Sequence, residues 1–363
     1  MVAGKIDTAI VRGETEPQGV TRRDRLAIPA LVLAAAISSV GNSLTAIAIP
    51  WFVYVTTGSA TQTGLVAFAG LLPVAIGGLL GGAIIDRLGF KPSSIISDLA
   101  SGLTVALIPT LYLLDLLQFW HLLVLAFLGA LLDSPGSTAR QAMIPRLAGK
   151  VAMPLERANS AVSLALYGAQ VVGPAAAGGL IALVGAASVL YFDAATFGIS
   201  AIIIGLAISY PALKDRAADR DASRGTVLQD ALDGLRYIAG DPFIRTLLSI
   251  SIFANFLFSP LFSVIFPVYV KERFDDPTAF GLLAASFGLG SVAGTIAYGA
   301  FGARLPRYPI YAGGAVLLTV GMWMLPWSPA LPVSIAAGLI SGLSLGPINT
   351  VSIVTLQERV PEE

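Results

Sequence analysis

The sequence predicts an all-α membrane protein of ten spans, six before a charged linker and four after it. Three observations predict it. The chain is 55% hydrophobic and 12% charged with a mean hydropathy of +0.80, where a soluble domain carries about 25% charged residues. Apolar runs recur from Leu26 to Leu356, each near the ~20 residues that cross ~30 Å of hydrocarbon. From Leu26 to Ile85, from Thr246 to Val270 and from Tyr308 to Gln357 no residue is charged, whereas a helix beside water carries a polar stripe.

Composition also excludes several functions. A formal net charge of zero gives no nucleic-acid footprint. With no cysteine and His121 as the only histidine, disulfides, thiolate or histidine metal clusters and cysteine nucleophiles are ruled out. The run from Gly288 to Gly294 has the wrong last spacing for a dinucleotide loop, and no strand precedes it. No nucleophile–base set appears. The chain is read as a non-enzyme with no cofactor, lying in a lipid bilayer; its oligomeric state is left open.

Residues 1–25 are polar and mixed in charge, a cytoplasmic tail too long and too mixed for a secretory leader. Ten spans follow at 26–54, 64–85, 93–114, 122–141, 160–184, 188–210, 243–269, 279–303, 309–326 and 330–356. The domain reading is a tail (1–25), a six-helix bundle (26–210), a linker (211–242) and a partial second bundle (243–363). Between spans two and three, Asp86, Arg87 and Lys91 fall within six positions, and Gly89 and Pro92 punctuate them as a tight loop. Placing the N-terminus in the cytoplasm puts 20 of the 22 Lys and Arg residues on the inner side, with Lys271 and Arg273 outside, as the positive-inside rule requires. In the linker, Leu228, Leu232, Leu235 and Ile238 share one helical face. That segment reads equally as an amphipathic helix on the membrane surface or as a plain linker helix.

The chain repeats itself across this linker. A shift of 217 residues aligns 61–92 with 278–309 without a gap, and eleven of 32 positions are identical, Arg87/Arg304 and Pro92/Pro309 among them. Apolar bias alone matches Leu, Ala and Gly, but not an Arg and a Pro at the same loop offsets. The second and eighth spans are therefore counterparts in two parallel halves, an arrangement that secondary transporters use.

Gly82-x-x-x-Asp86-Arg87-x-Gly89-x-Lys91 resembles the loop motif between helices two and three of the major facilitator superfamily, and Gly299 to Arg304 its degenerate second copy. Pro50-Trp-Phe-Val-Tyr, then Thr57-Gly-Ser-Ala and Gly64, resembles the first-helix end of macrolide-efflux-like and enterobactin-exporter-like transporters. Gly173-Pro174 with Gly178-Gly179 is similar to the fifth-helix motif of drug antiporters, and Thr355 to Glu363 to the stretch before their eleventh helix. The resemblance implies the major facilitator fold and proton-coupled efflux of small organic molecules, drug-like amphiphiles or siderophores, by alternating access. It implies an inner-membrane protein with both termini cytoplasmic and a gating role for Gly82, Asp86, Arg87, Gly89 and Lys91. Departures are visible. Phe90 replaces a usual basic residue, Asn42 stands where the branch often has Asp, and Ser101 where an Arg is frequent. The family has twelve helices and ten are read here. Without an eleventh helix Asp86 lacks its implied partner, so the expectation is a truncated product with impaired gating. The rival is a non-transporting or vestigial protein that binds a partner.

Ionisable groups inside a bilayer cost about 2.5–3.5 kcal/mol each on insertion scales, so each needs a reason. Asp133 lies twelve residues into the fourth span, about 18 Å along the helix at ~1.5 Å per residue. There it can carry a proton or meet substrate. Alternatively it caps a helix break before Pro135-Gly136 or pairs with Arg140. In the resembled family helices one, four, seven and ten line the central cavity, and those spans carry Asn42, Asp133, Asn255 and Asn349. Each Asn can equally bond a neighbouring helix. Asp193 is expected to cap the start of span six, and Asp98 to join the Asp86/Arg87 cluster. Gly77-x-x-x-Gly81, Gly78-x-x-x-Gly82 and Gly290-x-x-x-Gly294 allow close helix approach without any ligand. The Gly-rich faces of helices two, five and eight are expected where the bundles meet.

Overall fold

The structure, a computed structural model, describes residues 21–208, 258–302, 306–327 and 330–357, together with 240, 245, 246, 249 and 256. Every described element is a helix. The tail before Thr21, the predicted surface helix of the linker and Asn255 lie outside the described residues.

Helix α1 (Arg22–Thr57) begins earlier than hydropathy places it, because Thr21 and Asp24 form a capping box. The Asp24 N–H donates to Thr21 Oγ1 at 3.2 Å and the Thr21 N–H to Asp24 Oδ2 at 3.1 Å. Helix α2 (Ala60–Leu88) is capped by Ser59, whose hydroxyl accepts from the Gln62 N–H. The loop expected before α3 (Phe90–Leu113) shrinks to one residue. Gly89 sits at φ +87°, ψ 163°, a region open essentially only to glycine. Asp86 and Arg87 therefore belong to the last turn of α2 and Lys91 to the first turn of α3. Gly185, at φ +81°, makes the same one-residue joint between α5 (Leu155–Val184) and α6 (Ala186–Ala207).

Helix α4 (Phe119–Lys150) runs well past the expected end at 141. Hydropathy reports where the apolar run stops, whereas backbone hydrogen bonds propagate through polar residues as readily. It also runs unbroken through Pro135, so Asp133 caps no helix break. Helix α7 (Phe266–Arg273) continues a π-helical turn, Leu261–Ile265. Pro267 has no N–H to offer the Ser263 carbonyl, and the ladder loosens just before it. Helix α8 (Pro277–Phe301) has Pro277 at its first position and Asp276 as cap, accepting from the Thr278 N–H at 2.8 Å. Helices α9 (Arg307–Trp327) and α10 (Leu331–Gln357) complete the set. Eight helices among the described residues are long and apolar enough to cross a membrane.

In the first half α1 packs on α5 and α6, α3 on α4 and α6, and α2 on α4; in the second, α10 packs on α8 and α9. The seam between the halves is α5 against α8. A Cβ added at Gly178 would stand 2.7 Å from the Pro277 carbonyl oxygen and 2.9 Å from Gly281 Cα, and one at Gly288 would stand 2.8 Å from the Gln170 carbonyl oxygen. The glycine faces of helices five and eight thus mark the close contact, as expected. Gly290 and Gly294 press instead on α10 at Leu343, within the second half. The side-chain surroundings of Gly77 to Gly82 are not among those described. A hydrophobic core joins the halves at one end, with Trp51 of α1 stacked on Phe280 of α8 at 6.0 Å between centroids.

Candidate functional site: a polar cavity beside α1

Helix α1 carries no charge from Leu26 to Thr57, yet it organises the charges of its neighbours. Asn42 and Thr45 are one turn apart and so share a face. Asn42 donates through Nδ2 to Asp133 Oδ2 of α4 at 3.2 Å. The Thr45 hydroxyl donates to Asp193 Oδ2 of α6. Gly41 makes the second approach possible, since any Cβ there would run into Thr196 and Asp193.

On α4, Asp133 and Arg140 are two turns apart on one face. Arg140 donates from Nη1 to Asp98 Oδ1 of α3 at 2.6 Å, and its Nη2 stands 3.7 Å from Asp133 Oδ1. Asp98 Oδ2 accepts from the Ser200 hydroxyl of α6 at 2.7 Å. Side-chain exposure grades the set, at 0% for Asp98, 8% for Arg140 and 23% for Asp133. Asp98 and Arg140 are a satisfied buried pair, while Asp133 has an open side. Its Oδ1 has no hydrogen-bond partner among the described residues.

The exposed part of Asp133, which does not include its buried Oδ1, faces a cavity of about 520 Å³ lined by Asn42, Thr45, Asp133, Asp193, Ser259 and Ser263, with apolar walls from Ile49, Val66, Val105, Ile108 and Phe197. A smaller cavity of about 70 Å³, with Ser39, Ser137, Arg140 and Gln141 in its wall, lies beyond the Asn42–Asp133 pair. Asn42, Asp133 and Ser137 line both and form the wall between them. A chamber this size, mostly apolar with a few converging polar groups, is the usual form of a small-molecule site. Its carboxyls supply cation or proton affinity.

Of the predicted polar lining, Asn42 and Asp133 are brought together. Asn349 is exposed on α10 and is not in the cavity wall. Asp98 does not join the α2 end. It is held by Arg140, because the helical phase of α3 turns it towards α4 and α6. Asp193 is no helix cap. It lies two turns inside α6, fully buried, and bonded to α1. Arg140, counted above with the inner loop, is buried mid-helix because the charge of Asp98 draws it inward. Thr45 and Ser200, two hydroxyls among many, carried no signal in the sequence.

Among the motif residues, Lys91 Nζ donates to the Gly205 and Ile208 carbonyls at 2.8 and 2.7 Å, beside Arg23 Nη2 on the Leu206 carbonyl at 2.6 Å. Both cations close the C-terminus of α6, where helix carbonyls lack partners. Arg87 is exposed. The side chain of Asp86 and the surroundings of Gly82 are outside those described. Gly173 lies against Ser43 of α1, Pro174 sits within α5, and Gly179 has open space beside it.

Comparisons with known proteins agree with this architecture. The family model described as Major Facilitator Superfamily matches residues 31–363. Multidrug efflux pump Tap of Mycolicibacterium fortuitum is 34% identical over 336 residues, 92% of this chain and 81% of that protein. Macrolide efflux protein A of Streptococcus pyogenes is 22% identical, covering 90% of this chain and 80% of its own. Among solved structures, the nucleoside transporter NupG superposes with a TM-score of 0.71 at 12% identity, covering 92% of this chain and 83% of that one. The D-xylose-proton symporter gives 0.67 at 17%, covering 93% and 83%. The chain belongs to the major facilitator superfamily of membrane transporters.

Proposed function

We propose that the chain is a proton-coupled efflux transporter for small amphipathic organic molecules, with Asp133 as the group that exchanges a proton for substrate. The observation that carries this is the position of Asp133. It is a carboxyl in the wall shared by two cavities, with one oxygen held by Asn42 and the other without a hydrogen bond, 3.7 Å from Arg140 Nη2. The printed role of Tap, a multidrug efflux pump, supports the direction and the breadth of substrate. The largely apolar walls favour an amphiphile over a sugar, which needs many hydrogen-bonding partners. The N- and C-termini are placed in the cytoplasm on the Lys and Arg distribution. The six-helix half and the second half are the moving parts.

In this reading the contacts joining the two halves, Trp51–Phe280, Gly178–Gly281 and Tyr54–Glu272, lie on the outer side. The arrangement is then the inward-open one. Substrate enters from the inner side and displaces a proton from Asp133. The halves rock, substrate leaves, and a proton from outside resets the carboxyl. The test is efflux of ethidium, a fluorescent lipophilic cation, from proteoliposomes under an imposed pH gradient. Asp133→Asn abolishes gradient-driven efflux while the protein stays folded, and Asp133→Glu retains it. Equal efflux by wild type and Asp133→Asn overturns the assignment.

A further inference from the structure

The mechanism above uses one carboxyl, but the cavity contains two. The middle of the first six helices holds three carboxyls, Asp98, Asp133 and Asp193, against one guanidinium, Arg140. Arg140 bonds Asp98 at 2.6 Å, and only its Nη2, at 3.7 Å, reaches towards Asp133. Among the described residues no cation pairs with Asp193. Helix α1 is uncharged along its span, α5 has no charge between Arg157 and Val184, and Asp193 is the only charged residue of α6 itself. Helix α3 offers Asp98, already bonded to Arg140 and Ser200, and α4 offers Asp133 and Arg140 across the cavity. Its bonding partners are hydroxyls, Thr45 and Thr196. Two negative charges in this setting need two positive ones, because a buried ion without a partner costs several kcal/mol.

We infer that Asp193 is a second proton-carrying carboxyl of the cavity, so that a substrate with two cationic groups is exchanged for two protons, whereas a monocation such as ethidium replaces only one. The inference rests on the proton-exchange reading of Asp133. Asp193 communicates with the cavity through Thr45, whose hydroxyl donates to its Oδ2 and which itself stands on the cavity wall. In the resting state Asp193 is a neutral carboxylic acid. On substrate entry its O–H proton passes to cavity water as hydronium and leaves a carboxylate, and the positive charge is replaced by a cationic group of the substrate. Asn42 and Thr45, one turn apart on one face of α1, hold the two carboxyls of α4 and α6. A tilt of α1 therefore alters both together.

The experiment is infrared difference spectroscopy of the full chain in lipid nanodiscs, titrated from acid to alkaline pH, following the carbonyl band of buried protonated carboxyls. Wild type loses two components. Asp193→Asn and Asp133→Asn each lose one, and Asp193→Glu restores the second at a shifted frequency. Loss of one component in wild type, or an Asp193→Asn spectrum identical to wild type, overturns the inference. Should Asp193→Asn not fold, the wild-type count with the Asp133→Asn spectrum decides, since a single remaining component is expected and none would refute it. Ethidium efflux separates the two claims. Efflux that ignores Asp133 with two components present removes the transport reading alone. Normal efflux with one component removes the role of Asp193 alone.

Discussion

Arg140 is the residue on which the buried charge of the first six helices balances. Its pair with Asp98, a carboxyl wholly removed from solvent, is made at 2.6 Å and completed by Ser200 on the far oxygen. Removing one partner of a buried pair typically costs about 3–5 kcal/mol because the other charge is left unmet, while replacing both by apolar residues is often neutral. Asp98→Asn is therefore expected to lower thermal stability in detergent by an amount in that range. The double change of Asp98→Leu with Arg140→Met should recover most of it; an Asp98→Asn variant as stable as wild type would show the pair to be dispensable. Asp133→Asn is expected to behave oppositely, with efflux lost and stability nearly kept, since the amide oxygen can still accept from Asn42 and only the 3.7 Å ion pair with Arg140 is given up. The sequence made Asp133 and Arg140 legible, because any charge inside an apolar run stands out. It did not make Asp98–Arg140 legible. The two are 42 positions apart, and which face of α3 meets α4 is decided by packing. Asp193 was visible as a charge but not as a cavity residue, for its partner Thr45 lies 148 positions away.

At the scale of helices, length and order follow from hydropathy, and the joints follow from glycine. The spans were legible because lipid demands an unbroken apolar run, and that demand leaves a plain trace. Their ends were less so, since capping by Thr21 and the polar continuation of α4 to Lys150 depend on hydrogen bonds that hydropathy does not register. Gly89 and Gly185 both sit at positive φ with extended ψ, so Gly89→Ala and Gly185→Ala should each cost ~1–3 kcal/mol in backbone strain. The α5–α8 seam gives a sharper contrast. A methyl at Gly178 meets backbone on α8, whereas one at Gly179 meets open space. Gly178→Ala should destabilise by ~1–3 kcal/mol through overpacking, and Gly179→Ala should stay within about 0.5 kcal/mol of wild type. Melting temperatures measured in one detergent compare the pair directly. Equal values for the two variants would mean that α5 and α8 are not in close contact in the membrane.

At the scale of the molecule, the described residues join the two halves along the α5–α8 seam and at the Trp51–Phe280 end, and the fastening at that end sets which state is populated. Besides the Trp51–Phe280 stack, it includes one polar fastening. The Tyr54 hydroxyl of α1 donates to Glu272 Oε1 of α7 at 2.8 Å, while the neighbouring Lys271 is engaged with Asp275. Both helices end there, so the bond sits at the rim, where a small opening breaks it completely. Contacts deeper in the seam only loosen. A hydrogen bond to a charged group contributes about 1.5–3 kcal/mol, and 1.4 kcal/mol is tenfold in an equilibrium between two states. Tyr54→Phe, which removes the donor and keeps the ring, should therefore shift the open-to-closed ratio of this end by roughly ten- to a hundredfold towards open. Spin labels on cysteines at Ala60 and Arg273, both exposed, report the distance across the rim by electron–electron double resonance. Wild type should give one short distance, and Tyr54→Phe a new population at longer distance, with the Asp98–Arg140 pair and thermal stability little changed. A distribution identical to wild type would mean that apolar packing at Trp51 and Phe280 closes this end alone, and that Tyr54 is a bystander.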